Sequence, residues 1–207
     1  MSATGRSKAV VLIALAAVVA VGSCGRGDDR RSARYSSSGE LCGIAGLEGQ
    51  HIAPIDGPGR CGIADPVQIT AVSGIRLTSP VRVNCSAAKS FKRWVDRGIK
   101  PAVGRRGGGI EAIRIAASYS CRSRNSQPGA KLSEHAKGNA IDVSGVVLRN
   151  GATLSVLEDW RRGRVIKRMH KSACGPFGAV LGPKSDRFHQ DHIHVDVASY
   201  RGGAYCR

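Results

Sequence analysis

Apolar residues recur at two different periods along this chain, and each period predicts a different element. In "HIHVDVAS", residues 192–199, Ile193, Val195 and Val197 alternate with His192, His194 and Asp196. That two-residue period is the pattern of a strand with one face on a core. "IRIAASYS", residues 113–120, alternates Ile113, Ile115, Ala117 and Tyr119 and leads into Cys121 and Arg122. "AIDVSGVVL", residues 140–148, is a third strand, followed by the turn signal "RNGAT". A helical period appears in "CSAAKSFKRWVDRG", where Ala88, Phe91, Trp94 and Val95 share a face behind a cap at Asn84 or Ser86, with Gly98 as the stop. A second helix is predicted over residues 155–172 from Val156, Leu157, Trp160, Val165, Ile166 and Met169, bent or interrupted near Gly163. Trp94 and Trp160 fall at core-facing positions of these helices. The fold class expected is α+β, a small, mostly antiparallel sheet with flanking helices.

The amino terminus carries a different signal. Arg6 and Lys8 precede the unbroken apolar run 9–21, which ends at Gly22, Ser23 and Cys24. The profile is that of a signal peptide over residues 1–23, and the run is shorter than the roughly 20 residues of a membrane span. "VGSC" resembles the bacterial lipobox, which implies a lipidated Cys24; secretion after Ser23 and retention of a short anchor are the alternatives. Residues 24–40 are polar, charged and rich in Gly and Ser, a flexible tether in character. Residues 41–207 then form one domain.

Of the seven cysteines, six lie in that domain: Cys42, Cys61, Cys85, Cys121, Cys174 and Cys206. In an exported chain this reads as three disulfides, with 15 pairings open. A cysteine zinc cluster lacks a CxxC pair to start from. The formal charge is +17, with aromatic residues only 4% of the chain. Without an aromatic-rich or helix-turn-helix pattern, the charge argues against nucleic acid and, behind an export signal, for anionic envelope polymers and lipid head groups.

The polar face of strand 192–199 carries two imidazoles and a carboxylate, an unusual set for a plain solvent face. Asp142 likewise alternates with Ile141 and Val143. His135 belongs to a preceding loop, and Gly138 lets that loop fold back toward the strand. Two histidines and one carboxylate from three places, with a fourth position open, suit catalytic zinc, and also iron or manganese.

These segments carry a resemblance. "SYSCR", "LSEHAKGNAIDV", Gly182-Pro183, "HQDHIHVD" and the terminal "YCR" resemble the bacterial extensin-like C-terminal domain across nearly all of residues 41–207. Its motifs in turn resemble those of the lysostaphin, D-alanyl-D-alanine carboxypeptidase and Hedgehog group of zinc proteins. The SxHxxGxAxD pattern is matched by Ser133, His135, Gly138, Ala140 and Asp142. The closing HxH is matched by His192 and His194, with Asp191 in the group's acidic position. The resemblance implies a Hedgehog/D-Ala-D-Ala-peptidase-like fold, Zn2+ on His135, Asp142 and His194, and a water activated for hydrolysis of an amide bond. It makes Asp191 the base, with His192 sharing that role or stabilising developing charge. Arg122 is then the residue that holds a substrate carboxylate or the oxyanion; its other reading is a solvated arginine beside a cysteine. The implied activity is hydrolysis of peptidoglycan peptides by a periplasmic lipoprotein anchored to the membrane through Cys24. The alternative is a non-catalytic peptidoglycan-binding module on the same scaffold.

Other polar residues have plainer readings. His189 and Asp196 either orient a ligand imidazole or are loop and strand polars. Glu134 is a second choice of base or a turn cap. His51 and His170 have no partner pattern, and residues 104–109, "GRRGGG", read as a flexible hairpin or surface loop because no Lys-Ser or Lys-Thr closes a phosphate loop.

Overall fold

The structure is a computed structural model that describes Met1 and residues 40–207. The expected signal peptide and nearly all of the tether, with Cys24, lie outside the described residues. The protein is α+β, built on a nine-stranded mixed sheet. Its strands are β1 (Leu47–His51), β4 (Pro66–Val72), β5 (Ile75–Asn84), β6 (Ile110–Ala117), β7 (Ala140–Leu148), β8 (Thr153–Ser155), β9 (Ala179–Leu181), β10 (Ile193–Asp196) and β11 (Tyr205–Cys206). Their order is β1-β4-β5-β6-β7-β10-β9-β11, with β8 also paired to β7. The β5–β6 and β9–β11 pairs are parallel and the others antiparallel. A separate hairpin joins β2 (Ile55–Asp56) to β3 (Gly62–Ile63).

The helices cover one face of this sheet. Helix α1 (Cys85–Trp94) is capped by Asn84, whose side chain accepts from the Ala87 N–H (2.9 Å). It runs without a break into a π-helical turn, Val95–Ile99, and then α2 (Lys100–Val103). Gly98 is therefore not the stop expected from the sequence. It is buried within the π turn, where an added Cβ would stand 2.3 Å from Ser172 Oγ and 2.6 Å from Trp94 Cδ1. Its role is close packing, and the chain leaves the helix at Gly104, with φ +60°.

The second predicted helix is two: α3 (Val156–Arg162) and α4 (Val165–Ala173), broken at Gly163. Phe91 and Trp94 of α1 and Ile166 and Met169 of α4 join Ile141, Val143, Ile193 and Val195 in one buried core. Trp94 Nε1–H donates to the Met169 carbonyl (2.8 Å), tying α1 to α4. Trp94 and Trp160 are both core residues.

Strand β6 starts before Ile113 and ends before Tyr119, and three irregularities in its pairing with β7 break the expected alternation. The "GRRGGG" segment is a surface turn held against the turn after β7: the Gly109 and Gly107 carbonyls accept from the Arg149 and Asn150 N–H groups (both 3.0 Å).

Three disulfides close the domain: Cys42–Cys85, Cys61–Cys121 and Cys174–Cys206. The second lies just after β6, beside Arg122.

Candidate metal centre and cleft

Strands β7 and β10 pair antiparallel with Asp142 directly opposite His194, while Ile141 faces Val195 and Val143 faces Ile193. The apolar members point to the helices. The period of two therefore sends Asp142, His194 and Asp196 to the opposite face. That face is not open to solvent here: Asp142, His194 and Asp196 are 3%, 8% and 2% exposed.

His135 arrives from a 3-10 turn, Glu134–Lys137. Ser133 caps the turn, and Gly138 ends it in the left-handed conformation with φ +67°. A side chain at 138 would also meet Ile63, whose Cδ1 lies 2.3 Å from the Cβ position. Two independent constraints thus require glycine where the loop reverses.

The three expected ligands meet. His135 Nε2 is 3.1 Å from Asp142 Oδ2 and 3.1 Å from His194 Nδ1, and His194 Nδ1 is 2.8 Å from Asp142 Oδ1. One ligand atom from each lies within 4.8 Å of the others. Donors on tetrahedral bonds of about 2.0–2.1 Å sit roughly 3.3 Å apart, so the cluster is close to the size that zinc takes. The surrounding hydrogen bonds also fit a metal. His135 Nδ1–H donates to the Ser118 carbonyl (2.7 Å), an atom that can only accept, so the proton sits on Nδ1 and the Nε2 lone pair points into the cluster. His194 Nε2–H donates to Asp196 Oδ2 (3.2 Å), leaving Nδ1 inward.

Burial alone would raise the Asp142 pKa, yet hydrogen bonds and positive charge from His135 and His194 hold it well below the usual carboxylate range. Burial likewise opposes charge on His194, but Asp142 and Asp196 together push its pKa up to about 9. A cation bound here would take the place of that proton.

The cluster forms the floor of a cleft of about 550 Å³. Its walls come from the loop after β6, the loop between β9 and β10, and the tail after β10. Arg122 lines it, with Nη1–H donating to the Ser123 carbonyl (3.4 Å). His192 lines it too, and its Nε2 is 3.6 Å from Asp142 Oδ2. Asp191 does not line the cleft among the described residues. Its side chain is 68% exposed, and its Oδ1 accepts from His192 Nδ1–H (2.8 Å), so it reaches the site through that imidazole.

His189 is buried against the cleft, its ring 5.1 Å from that of His192 and 5.7 Å from that of His194. Its Nδ1–H donates to Asp186 Oδ1 (2.7 Å). Burial lowers the His189 pKa more than Asp186 raises it. Burial would raise Asp186, but the bonds from His189 and the Phe188 N–H hold its carboxyl low.

Glu134 also lines the cleft, but its carboxylate accepts from Lys137 Nζ (2.8 Å) and Asn139 Nδ2 (2.7 Å); the cap of this turn is Ser133, so Glu134 is tied up in side-chain bonds and is neither the cap nor a free base. His51 sits 3.4 Å from Asp65 and His170 packs on Trp160, both away from the cleft. Two contributors had no reading from the sequence: Asp186, three positions before His189, and Tyr200, whose hydroxyl meets Asp196 and whose pKa is raised by burial and that carboxylate. A tyrosine in the irregular segment between β10 and β11 gives no periodic signal.

Fold and site together define an α+β protein with a buried His-Asp-His cluster of metal-ligand geometry beneath an open, histidine-rich cleft. The chain belongs to the family described as Extensin-like protein C-terminus, whose profile matches residues 43–207. Comparison with curated proteins and with solved structures gives no significant match.

Proposed function

We propose that the protein is a zinc-dependent hydrolase of peptide bonds in peptidoglycan stem peptides or cross-links, working at the cell envelope on a Hedgehog/D-Ala-D-Ala-peptidase-like scaffold. One observation carries this reading: His135, Asp142 and His194, the three positions singled out by the motif resemblance, bring one ligand atom each together at the floor of a cleft. His135, Asp142 and His194 would hold the ion. Bound zinc supplies a polarised, acidified water and a Lewis acid for the carbonyl.

The chain's own groups do the rest. His192 Nε2, beside Asp142, is the better-placed base to take the proton of the attacking water. Asp191 accepts the His192 Nδ1–H, fixing the tautomer and favouring the imidazolium that proton transfer creates. Arg122 supplies a fixed positive charge for a substrate carboxylate or an oxyanion. The strongly basic composition favours encounter with an anionic wall, and a lipidated Cys24 would hold the domain at the membrane.

The test is incubation of the purified protein with cross-linked and uncross-linked muropeptides, read by mass, with a chelator arm and a His194→Ala arm. New peptide products lost in both arms support the proposal. Stoichiometric zinc binding without any product moves the protein to a wall-binding module on the same scaffold.

A further inference from the structure

We infer that Tyr200 is a positioning residue for the metal centre, acting through Asp196 on His194; the inference rests on the metal reading of the cluster given above. Asp196 is 2% exposed, and a carboxylate so buried is costly unless its lone pairs are filled. Three donors fill them. The Ala198 N–H donates to Oδ1 (2.9 Å), His194 Nε2–H donates to Oδ2 (3.2 Å), and the Tyr200 hydroxyl bridges both oxygens at 3.1 and 2.9 Å.

Two of these donors are set by the chain near β10: His194 and Asp196 share a strand face, and Ala198 lies two residues on. The third is delivered from the tail that follows, whose end is fixed by the β11–β9 pairing and the Cys174–Cys206 bridge. The Tyr200 hydroxyl therefore decides which way the Asp196 carboxylate is turned, and with it how firmly the Nε2 proton of His194 is held.

This matters because an imidazole offers a lone pair at only one nitrogen. His194 Nδ1 faces His135 and Asp142, and it can serve as a ligand only while the proton stays at Nε2. Asp196 holds the proton there. Loosening the carboxylate lets the ring rotate or change tautomer, which spoils the ligand without removing it. Outer partners of this kind typically alter metal affinity by about 10- to 100-fold.

The experiment measures zinc affinity of the full chain by competition with a chromophoric chelator, together with the visible spectrum of the cobalt-loaded protein. The variants are Asp196→Ala, Asp196→Asn, Tyr200→Phe and His135→Ala. The expected result is affinity lower by about 10- to 100-fold in Asp196→Ala, a smaller loss in Asp196→Asn, which keeps an acceptor oxygen, and a loss of about three- to tenfold in Tyr200→Phe. The cobalt bands should change intensity in each. Should Asp196→Ala fail to fold, Tyr200→Phe decides alone, since it removes one half-buried hydroxyl and its melting can be matched to the parent. Unchanged affinity and spectrum in Tyr200→Phe overturn the inference while leaving the metal centre intact. Equal binding by the parent and His135→Ala overturns the metal reading, and the inference with it.

Discussion

At Gly138 the backbone has φ +67°, and the space beside it belongs to the Ile63 side chain. Alanine there bears the left-handed penalty of about 1–2 kcal/mol and must also displace Ile63. The expected loss for Gly138→Ala is about 2–3 kcal/mol. Since the same turn presents His135, zinc affinity should fall with it; paired thermal melts and zinc titrations would register both effects. A second expectation concerns the two acidic-site neighbours. If Asp191 works through His192, Asp191→Asn should slow turnover modestly, about tenfold, while His192→Ala should cost about 10²–10⁴-fold, both with full metal content. A larger loss in Asp191→Asn than in His192→Ala would return Asp191 to the direct role that the motif assigns it.

Among the elements, the π-helical turn shows how a packed junction sets a pH dependence. Asp96 in that turn accepts from Ser73 Oγ (2.7 Å), from Lys92, and from Lys100 Nζ (3.4 Å), joining the β4–β5 turn to the helices. Burial alone would raise its pKa, but the bonds from Lys92 and Ser73 and the charges of Lys92 and Lys100 bring it below its ordinary 3.8. A folded pKa below the unfolded one gives stability that is present above about pH 4 and lost as the pH falls through the folded value. Asp96→Asn should therefore cost at most about 1 kcal/mol at neutral pH, after screening by solvent. The difference should shrink as the pH falls from neutral through the folded pKa, where the Asp96 carboxyl takes up its proton. Melting curves of the two proteins across a descending pH series make the comparison.

The same scale shows what could be read beforehand. The strands of the site were legible because histidine and aspartate interrupt a clean apolar alternation, and α1 and α3–α4 because their stripes are wide. Strands β1 to β5 were not, since Gly and Pro punctuate residues 43–66 and the β4 pairings carry irregularities near Glu48 and Ile69 that blur the period. Gly98 was misplaced because a buried glycine at a helix crossing and a terminating glycine look alike in one dimension. The role of Asp191 came from the motif resemblance, and a motif cannot report that this carboxylate turns outward. Tyr200 and Asp186 lie in irregular segments, where only three-dimensional proximity reveals a partner.

For the whole molecule, cross-linking and charge are the governing quantities. The bridges span 43, 60 and 32 residues, and in the chain-entropy account each restrains the unfolded chain by about 4 kcal/mol, an upper figure. Reduction should lower the melting temperature by well over 10 °C, and replacing Cys61 and Cys121 together by serine should cost about 2–4 kcal/mol. Scanning calorimetry with and without reductant tests this. If the protein acts on the cell wall as proposed, its binding to isolated sacculi should weaken steeply as salt is raised, given the strongly basic composition. Co-sedimentation across a salt series measures it, and salt-insensitive binding would point to shape recognition instead.

Two of the three donors ride on neighbouring strands in fixed register, and the third on a capped turn, each oriented by bonds of its own. Shaping the pocket and filling it are thus separable events. The polypeptide can fold and close its disulfides first, then be charged with whatever ion its surroundings offer. Stripping that ion should leave a refillable vessel, not a collapsed chain.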